Sequence, residues 1–287
     1  MPPDSTARAH AAESAPSGGS AVSSDVQAPL KVTLLGTGTS TGVPVIGCFC
    51  RVCRSADPRD ARTRTSCYVE VGGVHLVIDT GPDFRRQALR EGIRRVDAVL
   101  FTHHHFDHIV GLDDLRPFFF DNRTPIPCYA RPNTATVLRE MFRYIFRDGS
   151  YPGVANLALH EVDGPFRVQS RYTTDVAAIE PIDVFHGDLP LYGYRIGRFA
   201  YLTDTSRIPE ESFRRLQDLD VLVLDALRHE PHRTHFTIEQ AVAAAQRIGA
   251  RQTYFVHMTH SVLHAEEDAR LPDGIALGYD GLSFIAE

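Results

Sequence analysis

The sequence predicts an α/β fold in which short buried strands alternate with helices. Three observations predict it. Strand-sized apolar runs recur along the chain between turn signals. Helical patterns occupy the gaps between several of them. Side chains able to bind metal stand at the carboxyl ends of the runs, where ligands gather in layered α/β folds.

The first stretch, to about Ala28, is rich in Ala, Ser, Gly and Pro and reads as a disordered tail over residues 1–28. It has no apolar segment of the kind a secretory signal carries. A folded domain is expected over 29–287, opening near Leu30 with "LKVTLLGTGTS". At 287 residues and 43% hydrophobic composition the chain can fill one large core. The strand runs are "KVTLLG" (31–36), "SCYVEV" (66–71), "VHLVIDTG" (74–81), "VDAVLFT" (96–102), "IPCYA" (126–130), "FAYLTD" (199–204), "DVLVLDAL" (220–227) and "QTYFVH" (252–257). None is long enough to span a membrane as a helix. "TATVLREMFRYIFRDG" (134–149) reads as one helix with Leu138, Met141, Phe142 and Ile145 on one side. In "TIEQAVAAAQRIG", Thr237 and Gln240 form a capping-box pair, Ile238, Ala241, Val242, Ala245 and Ile248 make an apolar face, and Gly249 supplies the stop. "GTGTSTG" (36–42) lacks the lysine of a phosphate-binding loop and reads as a tight turn eased by Gly36 and Gly38.

The net charge of −6 gives no basic footprint for nucleic acid. Five cysteines is an odd number, and Cys48, Cys50 and Cys53 fall within six residues. Without an export signal the expected compartment is the reducing cytoplasm, where such a cluster points to metal rather than disulfides. Three thiolates lack one ligand for tetrahedral zinc, and His260 in "HMTH" is a candidate for the fourth. Cys67 and Cys128 lie in strand runs and read as core.

The densest signal is "HHHFDH" (103–108), four histidines and an aspartate in six residues. In an extended segment residues i and i+2 point the same way, so His103 and His105 can grip one ion while Asp107 and His108 address a second. Asp79, His186, Asp204 and His257 also end or follow strand runs. A mixed His/Asp set of this size fits two divalent metals, Zn or Mn, sharing a bridging carboxylate. Such a pair lowers the pKa of a bridging water until it is hydroxide near neutral pH, and it neutralises phosphate oxygens. Expulsion of an alkoxide further benefits from a general acid. "HEPHRTHFTIEQA" offers His229, His232 and His235 just before a helix, whose N–H groups could also favour phosphate. His229 is expected to face solvent. Arg116, in "RPFFF", is a weaker candidate for lining a substrate pocket.

"HHHFDH" resembles the His-x-His-x-Asp-His motif of the metallo-β-lactamase-fold hydrolases. Asp79, "FHGD", "YLTDTS" and "FVHMTH" resemble that superfamily's further motifs in order. The resemblance implies an αββα sandwich of two mixed sheets flanked by helices. It puts His103, His105 and His186 on one metal and Asp107, His108 and His257 on the other. Asp204 bridges, and Asp79 orients a ligand. "GTGTSTGVPVIGCFCRVC" with "HMTH" is similar to the subgroup containing the phosphoribosyl cyclic phosphodiesterase of phosphonate breakdown. That similarity implies a structural zinc on Cys48, Cys50, Cys53 and His260. "HFTIEQA" resembles the His-Ser/Thr stretch of the tRNA-processing relatives and the cyclic phosphodiesterases, which makes His235 the proton donor ahead of His232.

The leading functional expectation is therefore a dinuclear metal-dependent phosphodiesterase on a small or cyclic nucleotide or ribose phosphate. A tRNA 3′-end endonuclease would use the same ligands, but the chain is acidic and shows no long basic Gly/Pro-rich arm. A thioester or lactone hydrolase could use the same hydroxide. An iron-dependent oxidoreductase fits less well, because Asp107, His108 and His257 are all retained. The partner expected is a small phosphodiester, without nucleic acid or membrane, with a homodimer as the assembly allowed for.

Overall fold

The structure is a computed structural model that describes residues 30–120, 122–147 and 153–287, so the tail expected over 1–28 lies outside the described residues. In chain order, β1 (Leu30–Gly36), β2 (Ser66–Val71) and β3 (Val74–Ile78) precede α1 (Phe84–Arg90). Next come β4 (Ala98–Leu100), α2 (Phe106–Ile109), a 3₁₀ segment (Val110–Phe119), β5 (Ile126–Ala130), α3 (Pro132–Met141), α4 (Arg143–Phe146) and β6 (Leu157–Glu161). The second half runs through β7 (Phe166–Gln169), β8 (Val176–His186), β9 (Leu189–Ile196), β10 (Phe199–Leu202), α5 (Glu210–Arg215) and β11 (Val221–Asp225). It ends with α6 (Ile238–Ile248), β12 (Gln252–Val256), α7 (His264–Asp268), β13 (Ile275–Leu277) and β14 (Ser283–Ala286).

The strands form two seven-stranded sheets, ordered β14-β1-β2-β3-β4-β5-β6 and β13-β12-β11-β10-β9-β8-β7. Each is mixed. β14 through β3 pair antiparallel and β3 through β6 parallel. In the second sheet β7 through β10 pair antiparallel and β10 through β13 parallel.

Side-chain alternation builds the layers. On β10, Phe199 and Tyr201 enter the core between the sheets, while Ala200 and Leu202 face outward beneath helix. That outer face of the second sheet is covered by Ile238, Ala241, Ala245 and Ile248 of α6. Phe84 of α1, Leu138 of α3 and Ile145 of α4 cover the outer face of the first. Helix, sheet, sheet and helix thus stack as the αββα sandwich.

α6 has the expected ends: Thr237 caps the Gln240 N–H, Gln240 caps Thr237 in return, and Gly249 adopts φ 73°. The single helix expected over 134–149 is instead two, broken at Phe142, whose φ of −108° and ψ of 39° are not helical. The break keeps Leu138, Phe142 and Ile145 in the core and turns Met141 to solvent, 47% exposed. Residues 148 and 149 lie outside the described residues.

The segment after β1 runs along the end of β12. Thr39 N–H donates to Met258 O (3.1 Å), and Met258 N–H donates to Thr37 O (3.0 Å). The turn itself closes from Gly42 N–H to Thr39 O (2.8 Å), with φ +64° at Gly42. Gly36 and Gly38 serve close approach instead. A Cβ on Gly36 would stand 2.0 Å from Arg64 O, and one on Gly38 2.8 Å from Arg62 O. Arg62 is fully buried and fastens this segment, donating to Thr259 O (3.1 Å) and Val262 O (2.9 Å) beside Asp60 (3.2 Å).

Candidate metal centres

Asp79, His103, His186, Asp204 and His257 leave the ends of β3, β4, β8, β10 and β12 at one edge of the sandwich. Asp79, Asp204 and His257 have φ of 61°, 52° and 65°, three of the four non-glycine residues described with positive φ. This left-handed turn is unfavourable for residues with a Cβ and gathers at functional sites. Here each ends a strand by turning the chain so that its side chain joins a common centre.

Two groups of ligand atoms form there. His103, His105 and His186 offer nitrogens within 4.8 Å of one another, and so do the donor atoms of Asp107, His108, Asp204 and His257. Asp204 reaches both groups. Its Oδ2 lies 3.1 Å from His108 Nε2, and its Oδ1 lies 3.2 Å from His257 Nε2 and 4.0 Å from His103 Nε2. Asp107 Oδ2 stands 3.3 Å from His108 Nε2 and 3.7 Å from His257 Nε2.

The Nε2 atoms of His103, His108 and His257 are buried and make no hydrogen bond. Such atoms are costly unless something else satisfies them. For His103 and His108 the opposite nitrogens show why. His108 Nδ1 donates to Asp79 Oδ2 (2.7 Å), and Thr102, which spends its hydroxyl proton on Asp79 Oδ2 (2.7 Å), accepts at 3.0 Å from His103 Nδ1. His186 Nδ1 likewise donates to Thr234 O (2.8 Å). These three rings are thereby fixed in the tautomer whose Nε2 lone pair faces the centre, the arrangement that metal-ligating histidines adopt. His257 Nδ1, 3.6 Å from Asp225 Oδ1, makes no such hydrogen bond. Asp79 is the organiser: buried, it also accepts from Thr102 N–H (2.8 Å).

The electrostatics agree with a site built for cations. Burial resists charge on Asp107, yet His108 and His257 hold its carboxyl well below the usual range. Burial opposes charge on His257 too, but Asp204 and Asp107 outweigh it and raise the imidazole to about 8. His186, buried beside fewer carboxylates, is lowered to about 4. The carboxylates of Asp204 and Asp107 thus favour positive charge at His108 and His257. Divalent ions can supply that charge in place of protons.

His235 borders both groups, its ring 4.7 Å from His257 in a stack and 4.5 Å edge-on from His186. Its Nδ1 donates to Asp225 Oδ1 (3.2 Å), whose other oxygen accepts from Phe236 N–H (3.1 Å). Asp225 is the functional residue the sequence reading missed. The signal was present, since it ends "DVLVLD" as Asp79 ends "VHLVID". His232 is exposed, its ring 5.1 Å from His235, with Nδ1 3.2 Å from Thr234 Oγ1.

Other expectations are met in part or change. His229 is exposed, as expected, its side chain 46% accessible, but it also contacts Glu239 Oε1 (2.6 Å) and Glu267 Oε2 (2.9 Å). Arg116 is engaged with Asp113 and the Gly153 carbonyl. The start of α6 offers little to phosphate. Its Ile238 N–H is taken by Arg228 O (3.0 Å) and its Gln240 N–H by Thr237 Oγ1 (3.2 Å).

The cysteine cluster forms a second centre three residues past His257. His260 Nδ1 lies 3.2, 3.5 and 3.6 Å from the sulfurs of Cys48, Cys50 and Cys53. A tetrahedral zinc with such ligands separates sulfur from nitrogen by about 3.6 Å. The Cys53 N–H donates to Cys50 Sγ (3.4 Å) and draws that thiol down to about 6, while burial pushes the Cys53 thiol up to about 11. Cys67 and Cys128 are buried in the strands, as expected of core residues.

Comparison with known proteins agrees with this picture. The model of the beta-lactamase superfamily domain matches residues 75–258. The crystal structure of a new diphosphatase from the PhnP family superposes with a TM-score of 0.82 at 45% identity, covering 90% of this chain and 98% of that one. Zinc-bound PqqB from Methylobacterium extorquens shares the fold, with a TM-score of 0.67 at 22% identity over 88% of this chain and 99% of its own. An octanoyltransferase of Porphyromonas gingivalis is 43% identical over 263 residues, 90% of this chain and 52% of that protein. The chain thus spans about half the length of that curated relative. Among the described residues no helix is long and apolar enough to cross a membrane. On these matches the chain belongs to the beta-lactamase superfamily and, within it, to the PhnP family.

Proposed function

We propose that the chain is a dinuclear metal-dependent phosphodiesterase acting on a small or cyclic nucleotide or ribose phosphate. The observation that carries the reading is the set of buried Nε2 atoms on His103, His108 and His257, which lack hydrogen-bond partners and surround Asp204. In this reading His103, His105 and His186 would hold one ion, Asp107, His108 and His257 the other, and Asp204 both. Two divalent ions, Zn or Mn, would supply water activation and neutralise the phosphate oxygens.

The chain's own residues do the rest. Asp79 fixes the His108 ring through Nδ1 and, through Thr102, the His103 ring. Asp225 holds His235 by Nδ1–H, so as general acid His235 would act as the imidazolium and deliver its second proton, on Nε2, to the departing alkoxide oxygen. His235 is favoured over His232 because it is buried beside His186 and His257 and held by a carboxylate. Cys48, Cys50, Cys53 and His260 would hold a structural zinc in a reducing compartment such as the cytoplasm, tying the loop after β1 to the strand end that presents His257.

The diphosphatase named among the PhnP-family structures supports hydrolysis at phosphorus. The octanoyltransferase is about twice the length of the stretch it shares, so its name carries no activity to this chain. The net charge of −6 favours a small substrate over tRNA. Purified with Mn²⁺ or Zn²⁺, the chain is expected to turn over bis(p-nitrophenyl) phosphate and cyclic ribose phosphates. Folded protein without turnover under any divalent metal overturns the reading.

A further inference from the structure

The loop between β11 and α6 carries His235 and is closed at its base. Arg228 bridges Thr237, and Leu227 N–H donates to Phe236 O (3.0 Å). One bond joins it to the metal centre, where Thr234 O accepts from His186 Nδ1, and a second ties it to the end of β11, where His235 Nδ1 donates to Asp225. Farther round the loop, His229 ties it to two helices, contacting Glu239 in the first turn of α6 and Glu267 in α7. Carboxylates only accept hydrogen bonds. A neutral imidazole has one N–H and can satisfy one of them, so both contacts together require the imidazolium. The Glu267 side chain is only 9% exposed, and Arg270 Nη1 stands 3.8 Å from it. Loss of the His229 proton would leave that buried carboxylate poorly paired, which is expensive.

We propose that His229 is a positioning residue: clasped as an imidazolium between Glu239 and Glu267, it fixes the 228–236 loop and, through the loop, the orientation of His235 and His186. The activity readout of this inference rests on the phosphodiesterase reading above. The groups facing His229 favour the proton. On its own loop Arg228 pairs with Glu230 (3.8 Å). From α7, Glu266 is neutralised by Arg51, and Arg270 offsets Glu267 only in part. Cys50 and His260 line the same cavity. The hydrogen bond to Glu239 raises the imidazole above its usual value of 6.5, and Glu267 adds to this against the effect of burial. The tie is therefore complete below about pH 6.5 and is lost as pH rises through the raised value.

The test compares H229Q, H229K and E267Q with the wild type, each checked by thermal melt and metal content. H229Q is expected to lower kcat about tenfold or more with metal retained, as misplacement of a reacting group does. E267Q should move the alkaline limit of kcat down by about one to two pH units. H229K, a cation throughout, should restore kcat to within about threefold and remove that limit. Protection of residues 228–236 against hydrogen exchange, with the intrinsic rise of exchange with pH divided out, should fall over the same pH range in the wild type and stay constant in H229K. This readout stands even if no phosphodiester is turned over. Unchanged kcat in H229Q, or a protection factor in this loop that is the same at every pH in the wild type, overturns the inference.

Discussion

The two candidate metal centres share one short stretch, His257 to His260, yet they are built in opposite ways. The ligands of the His/Asp centre come from the ends of four strands and the turn after β4. Asp79, Thr102 and Thr234 orient three of its histidines, and Asp225 holds the neighbouring His235. The Cys/His centre is half exposed and takes three ligands from one six-residue loop. The first has its geometry imposed by the sheets, so it can be shaped before any ion arrives. The second has little around it except the ion, so metal would supply most of its order. On the proposed reading, a local centre would fasten a loop beside the buried one that would do the chemistry.

Breaking the shared carboxylate should have the largest effect. Asp204→Asn is expected to lower kcat/KM by about a thousandfold or more and to reduce bound active-centre metal, read by kinetics with elemental analysis. Near-normal turnover with full metal would place the chemistry elsewhere. Cys50→Ser should remove one ion per chain and destabilise the fold by more than about 3 kcal/mol in denaturant melts. It should lower activity only in part, through His257. If C50S keeps its metal and stability, the cysteine loop is not a staple.

Asp225→Asn keeps the shape but weakens the orientation of His235. It should cost about tenfold to a hundredfold in kcat while metal content stays intact, as changes behind a functional side chain typically do. Equal losses of metal and activity would make Asp225 part of the metal centre instead.

Removing metal should change the pH dependence of stability. In the metal-free chain His257, at about 8 when folded, contributes stability that is complete below about pH 6.5 and lost as pH rises through 8. His186, lowered to about 4, contributes stability that is present above about 6.5 and lost as pH falls toward 4. Metal-free Tm should therefore peak near pH 6.5, and loading metal should flatten the alkaline side, because the ion holds His257 without its proton. The same alkaline decline in both forms would contradict this.

How legible all this was in the sequence depended on burial. The eight runs with near-continuous apolar character are all strands, most of them in the parallel, doubly covered halves of the sheets. The strands that were not read are mainly at the edges or antiparallel. β6 and β14 carry exposed positions that blur their pattern. β9, "LPLYGYRI", contains Pro190 and Gly193 and looks like a turn. Gly193 is there because a Cβ would stand 2.1 Å from Leu202 Cδ2. His186 was visible as a strand end because the last part of β8, "IEPIDVF", reads as a run. The helix break at Phe142 had no local marker, since the ring's burial decides it. The ligand residues were legible because strand ends converge by topology, so motif order was enough to place them. The orienting groups Thr102 and Thr234 are ordinary residue types whose role exists only in three dimensions, whereas Asp225 stood at a strand end like Asp79 and could have been read.

The most direct test is to strip the chain of metal and follow bis(p-nitrophenyl) phosphate turnover as Mn²⁺ is added back with the cysteine centre kept in zinc. Two ions in one centre predict turnover that rises only as the second Mn²⁺ per chain binds. Turnover complete with one ion, or none at two, would contradict the account.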